Sequence, residues 1–158
     1  MGGRRIRLRM TLVPPGTVVL VVDDDVEVRQ SVADLLIVEG YDARALPSAD
    51  AAWSEMALGV RPSLIILDLW IQGMSSGEFL RRLRISPDGR TPVLVISGSE
   101  SMGDLEWDVQ GVARKPIEAT SLVRAVDRLV TRSAPTTKPE APPRRRPPRH
   151  KPARRRID

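Results

Sequence analysis

Three adjacent carboxylates, Asp23, Asp24 and Asp25, follow directly on the apolar run Val18 to Val22. Further along, Asp68 closes the run LIILD, Ser97 closes VLVIS, and Lys115 stands before Pro116. Carboxylates, a hydroxyl and an ammonium form a set with a definite chemistry. A few carboxylate oxygens plus water suit Mg²⁺, which dehydrates reluctantly and is normally completed by a phosphate. A hydroxyl and a lysine can hold phosphoryl oxygens, so the set fits a phosphoryl-transfer site. Adjacent acids otherwise cost stability, because unit charges ~4 Å apart repel by about 1 kcal/mol in water and by several times that near a protein surface. Each residue taken alone has a plainer account. Asp25, and Asp24 with it, would favour the positive end of a following helix. Asp68 would cap or turn, Ser97 would turn, and Lys115 would be a solvated surface lysine.

The elements that must bring these residues together are legible as alternating apolar runs and helical periods. Val18–Val22, Leu64–Asp68 and Val93–Ser97 are short, apolar and rich in β-branched residues, which predicts strands buried on both faces of a parallel sheet. Tyr41 to Leu46 is a further short strand, and Val112-Ala113 a very short one. Helical spacing follows the acids at Val28, Val32, Leu35 and Leu36, with Gly40 as a stop. Ser48 to Leu58 reads as a helix capped by Ser48, Gly77 to Ile85 as another, and Ile117 to Val130 as an amphipathic helix through Leu122, Val123, Val126, Leu129 and Val130. The segment SESMGDLEWD is weakly helical at best. A β-α unit repeated five times predicts an α/β protein: a doubly wound parallel sheet with helices on both faces. Sites in such sheets form at the carboxyl ends of the strands, which is where Asp23, Asp24, Asp68, Ser97 and Lys115 fall.

LVVDDD, LIILDLW, PVLVISG and RKPI, in this order and spacing, resemble the response-regulator receiver family, the phosphoacceptor half of two-component signalling. The resemblance covers roughly residues 17 to 131. It implies a flavodoxin-like five-stranded sheet of order 2-1-3-4-5. It also implies that Asp68 accepts a phosphoryl group from a histidine kinase or phosphotransfer protein. Asp23, Asp24, Asp68 and the main-chain carbonyl of Trp70 would hold Mg²⁺. Ser97 would bond a phosphoryl oxygen with Gly98 leaving room beside it, and Lys115 would pair with the acyl phosphate, set in place by a cis bond to Pro116. Trp70 and Ser99 would tune dephosphorylation. Such a protein is a signalling component rather than an enzyme, with at most autophosphatase activity, and signals through contacts with a downstream protein.

The sequence also departs from that family. Gln72 stands where a proline is usual, and GMSSG carries what reads as an extra residue, so the turn after Asp68 is expected to be reshaped. The stretch from Ser97 to Lys115 is short, which predicts a truncated or irregular helix there. Val112 occupies the position where many receivers carry a rotating aromatic, and a β-branched side chain has little rotamer freedom with which to report a switch. These departures favour an alternative: a pseudo-receiver, an interaction scaffold without a regulated phosphorylation cycle. A haloacid-dehalogenase-like phosphatase matches only through Asp23 and Asp25; that pattern wants Thr or Val at position 27, which is Glu27.

At 158 residues the chain has room for one domain and an appendage. The expected organisation is a basic flexible segment 1–16, the receiver 17–132, and a disordered Pro/Arg-rich tail 133–158. The tail holds nine Lys and Arg against two acids and half of the 14 prolines, so the basic net charge of +5 belongs to it and not to the receiver. With almost no apolar residues it cannot offset its ordering entropy. It can attract polyanions or dock as an extended segment on a protein, so a tethering role is expected, as is a stand-alone receiver without a DNA-binding output domain. His150, the single histidine, lies in that tail, away from any relay role. The absence of cysteine excludes disulfide and thiolate-metal chemistry and fits a reducing, cytoplasmic setting. No apolar run approaches the ~20 residues of a membrane span. The basic N-terminus has the charge order of an export signal, but Pro14-Pro15-Gly16 interrupts it and Ile6 breaks the myristoylation pattern. Met1 and Met10 are both candidate starts.

Overall fold

The structure, a computed structural model, describes residues 13–98 and 108–133. Five parallel strands, β1 (Val18–Val22), β2 (Asp42–Leu46), β3 (Leu64–Asp68), β4 (Val93–Ser97) and β5 (Gly111–Arg114), form one sheet in the order β2-β1-β3-β4-β5. This is the predicted order. Four helices are described: α1 (Val26–Val38), α2 (Ala49–Ala57), α3 (Ser76–Ile85) and α4 (Ala119–Ser133). The expectation of a short or irregular helix between Ser97 and Lys115 falls on residues 99–107, outside the described residues. So do the expectations for residues 1–12 and for the tail beyond Ser133.

Strand alternation sorts the core into two layers. Val19, Val21, Leu64, Ile66, Leu94 and Ile96 face Val32, Ala33 and Leu36 of α1 and Leu122, Val126 and Leu129 of α4. Their neighbours Leu20, Val22, Ile65, Leu67, Val93 and Val95 face Ala49, Ala52 and Met56 of α2 and Phe79, Leu80 and Leu83 of α3. Strands β1, β3 and β4 are buried along almost their whole length, as their unbroken apolar runs require. Phe79 is fully buried and meets Trp53 of α2 edge-on, with ring centroids 6.4 Å apart.

The helix starts follow from their caps. Asp25 accepts hydrogen bonds from the backbone N–H groups of Glu27 and Val28, so one of the three adjacent acids is the N-cap of α1. Ser48 caps α2 as predicted, and Ser75 caps α3, whose first residue lies one position before the expected start. Gly40, with φ near +97°, takes the left-handed conformation that closes α1. Tyr41, just after it, is buried, and its hydroxyl donates to the Asp127 carboxylate on α4. On β2, an outer strand, Arg44 bonds Asp42 at 3.3 Å and Glu55 of α2 at 2.8 Å. Arg84, near the end of α3, donates to the carbonyls of Gly89 and Thr91 at 2.9 Å each and to that of Asp108. It thereby fixes the segment that enters β5.

Candidate functional site

Parallel strands direct all their carboxyl ends to one side of the sheet. There β1 delivers Asp23 and Asp24, β3 delivers Asp68, β4 delivers Ser97 and the turn after β5 delivers Lys115. Asp23, Asp68 and Ser97 are buried, whereas Asp24 is exposed. Lys115 Nζ lies 2.8 Å from Asp23 Oδ2 and 3.0 Å from Asp68 Oδ2, carboxylates that precede it in the chain by 92 and 47 residues. Asp23, Asp24 and Asp68 each offer a carboxylate oxygen within 4.8 Å of the others. The second oxygen of Asp23 accepts from the Asp25 N–H at 2.9 Å, which orients it. The Lys115 N–H donates to the Ser97 carbonyl at 2.9 Å, and the Lys115-Pro116 bond is cis, as expected.

The electrostatics favour added positive charge. Burial pushes the Asp68 carboxyl above its ordinary range, and the Asp23 charge adds to that. Hydrogen bonds from Lys115 and the Trp70 N–H (3.3 Å) pull the other way without cancelling it. For Lys115 burial works against the ammonium, but its bonds to Asp23 and Asp68 outweigh that and hold it above the usual lysine value. All donors are hard oxygens with no nitrogen or sulfur among them, a set that fits Mg²⁺.

The remaining predicted residues are placed as follows. Trp70 lies in the loop directly after β3 and is two-thirds exposed. Gly98 follows Ser97; a methyl group there would meet only Lys115 Cβ at 3.9 Å, an ordinary contact, so room for alanine exists. Val112 on β5 is half exposed. Ser99 lies outside the described residues. Past Gln72, the turn carries Gly73 at φ near +84°, and the Met74 N–H donates to Asp50 Oδ2 at 3.3 Å.

Three contributors carry no clear mark in the sequence. Ser76, buried in the first turn of α3, places its hydroxyl 2.7 Å from the Asp68 carbonyl and 3.0 Å from that of Leu69, which fixes the backbone that carries Asp68. Arg29 on α1 donates to the Asp24 carbonyl at 3.0 Å and the Asp23 carbonyl at 3.3 Å, clamping the acidic turn. Asp50 holds the loop after β3 from α2. The only signal for Ser76 is the second serine of GMSSG, which reads as an insertion; Arg29 sits one turn after the acids, where a solvated role is the usual one.

The sequence profile of the response regulator receiver domain matches residues 19–127. The chain belongs to the response regulator receiver family. The receiver is 36% identical over 118 residues to the nitrogen assimilation regulatory protein NtrX of Azorhizobium caulinodans, covering 70% of this chain and 25% of that one. It is 30% identical over 118 residues to the two-component response regulator ORR6 of Oryza sativa subsp. japonica, covering 70% and 69%. Among solved structures it is similar to the chemotaxis response regulator CheY4 of Vibrio cholerae (TM-score 0.66, 25% identity, 72% of this chain and 98% of that one). It is also similar to the receiver domain of NtrX from Brucella abortus (TM-score 0.63, 30% identity, 72% and 98%). The chain spans between a quarter and about half the length of the first curated relatives it matches. Receiver membership places the chain in two-component signalling and sets aside the phosphatase reading, whose second acid, Asp25, is the cap of α1. No helix among the described residues is long and apolar enough to cross a membrane.

Proposed function

We propose that the chain is a phosphoacceptor receiver in which Asp68 takes a phosphoryl group from the phosphohistidine of a kinase or phosphotransfer protein. The observation that carries this reading is Lys115 Nζ held between Asp23 and Asp68. An Asp68 carboxylate oxygen attacks phosphorus, the P–N bond to the donor imidazole breaks, and an acyl phosphate forms on Asp68. Asp23, Asp24, Asp68 and the Trp70 carbonyl would hold Mg²⁺, which when bound neutralises charge on the transferred group. Lys115 then exchanges an Asp68 oxygen for a phosphoryl oxygen, and the Ser97 hydroxyl takes another. Ser76 and Arg29 keep the nucleophile and the acidic turn from shifting as charge moves. The receiver passes its signal on through a downstream protein, and a cytoplasmic location goes with this reading.

A second reading, a pseudo-receiver scaffold, is favoured by Val112, half exposed on β5 where an aromatic switch residue is usual. Intact mass after incubation with Mg²⁺ and a small phosphodonor separates the two. The native chain should gain one labile phosphoryl group and Asp68→Asn should gain none. A native chain that never gains it supports the scaffold, and equal gain by Asp68→Asn overturns Asp68 as acceptor.

A further inference from the structure

Ser75 and Ser76 stand side by side at the start of α3 and do different work. Ser75 is the N-cap: its hydroxyl accepts from the Glu78 N–H at 3.2 Å, which serves the helix start. Ser76 is 2% exposed, and its hydroxyl reaches instead to the carbonyls of Asp68 at 2.7 Å and Leu69 at 3.0 Å. A hydroxyl carries a single proton, so the two carbonyls share it. They lie where the ladder runs out, since β3 pairs with β1 as far as Leu67 and with β4 as far as Asp68. From there the chain leaves the sheet, and the next carbonyl along it is that of Trp70. The Trp70 N–H reaches back to Asp68 Oδ1 at 3.3 Å, and Lys115 holds Asp68 Oδ2 at 3.0 Å. Those two bonds hold the Asp68 side chain; Ser76 holds its backbone. Farther along, past the left-handed Gly73, the loop is tied by the exposed 3.3 Å bond from the Met74 N–H to Asp50.

We propose that Ser76 is a positioning residue for the divalent cation. By holding two successive carbonyls, its hydroxyl sets the course of the backbone from Asp68 to Trp70, and so aims the Asp68 carboxylate and the Trp70 carbonyl together. The inference rests on the phosphoacceptor reading in taking both groups as Mg²⁺ ligands. Mg²⁺ demands near-ideal octahedral geometry, so a ligand that wanders weakens binding. A carboxylate can follow the ion by rotating about its own side-chain bonds, whereas a main-chain carbonyl goes only where its peptide goes. The hold on the backbone therefore matters most for Trp70. Removing a group that orients a metal ligand in this way typically lowers metal affinity by about 10- to 100-fold. Ser76 touches neither the carboxylate oxygens of Asp68 nor the Trp70 carbonyl, so it acts through the peptides before them. A serine that merely satisfied two buried carbonyls would stabilise the fold and leave the affinity for the ion unchanged.

Thermal unfolding of the 158-residue chain at increasing Mg²⁺ separates the two accounts, because an ion that binds only the folded chain raises Tm with concentration according to its Kd. Ser76→Ala should need about 10- to 100-fold more Mg²⁺ than the native chain for the same rise. Ser76→Thr, which keeps the hydroxyl, should restore the native affinity. Ser75→Ala removes the neighbouring cap, so it should lower Tm in chelator yet bind Mg²⁺ as the native chain does. Native affinity in Ser76→Ala, no recovery in Ser76→Thr, or an equal loss in Ser75→Ala overturns the role of Ser76. Where Ser76→Ala does not fold, Ser76→Cys replaces it: the thiol is a weaker donor, its affinity should still fall below the native one, and native affinity overturns the proposal. No rise in the native chain overturns the metal site and this inference with it. A native chain that binds Mg²⁺ but gains no phosphoryl group ends the phosphoacceptor reading, while the Ser76 series still decides this one.

Discussion

Trp70 meets the proposed acceptor through its backbone: its N–H donates to Asp68 at 3.3 Å, while its side chain is two-thirds exposed. On the phosphoacceptor reading proposed above, the bulk of the indole hinders water from reaching the acyl phosphate. Trp70→Asn should accelerate loss of phosphate from Asp68, followed by intact mass after donor removal; unchanged or slower decay rules the idea out. Burial also sets how Asp68 titrates. Its carboxyl is held above the usual range by burial, so the folded chain keeps a proton on it more readily than the unfolded chain does. The corresponding stability is present at acid pH and lost as pH rises through the shifted range. Asp68→Asn removes that loss, so at neutral pH with a chelator its Tm should exceed the native one, and Mg²⁺ should raise the native Tm more than that of the variant. A lower Tm for Asp68→Asn in chelator contradicts this.

At the scale of elements, the site was legible wherever a polar residue ended an apolar run. Asp23, Asp68 and Ser97 declared themselves in this way, each being the first polar side chain after an unbroken apolar run. The caps separated one role from another only in three dimensions: DDD does not say which acid serves α1, and Asp25 proves to be the one. Ser76, Arg29 and Asp50 were not legible because they bond main-chain groups of residues whose proximity arises only on folding, and no spacing of side-chain types records such a partner. Strand β5 was shorter in the sequence than in the fold because Gly111 and Arg114 carry no apolar signal; pairing with β4 recruits them. The Tyr41–Asp127 bond is likewise invisible locally, yet it ties the turn before β2 to α4. Tyr41→Phe should cost about 1 kcal/mol in denaturant unfolding. Burial, then Asp127, raises the phenol out of the ordinary tyrosine range. The unfolded chain therefore ionises Tyr41 first, and stability falls as pH climbs above the free tyrosine value. The native chain should lose more stability than Tyr41→Phe over that alkaline range; equal losses would remove tyrosine from the account.

Across the whole molecule, the two-layer core leaves polar chemistry to the carboxyl end of the sheet and basic charge to α4 and the residues beyond it. Among the described residues the sheet is open rather than closed, with β2 and β5 as its outer strands, each presenting a row of backbone groups on its outer side. On β2 that row is guarded by Arg44, which Asp42 and Glu55 hold in place along the rim. Exposed edges pair readily with other chains unless charge or shape prevents it. Asp42→Val with Arg44→Val should leave the fold able to form but let molecules add to one another strand by strand, visible as rising light scattering at high concentration. If the doubly substituted chain scatters no more light than the native one at the same concentration, the guard is not there. Surface ion pairs of this kind contribute little to stability; at an open sheet rim, charge works instead against the addition of a further strand.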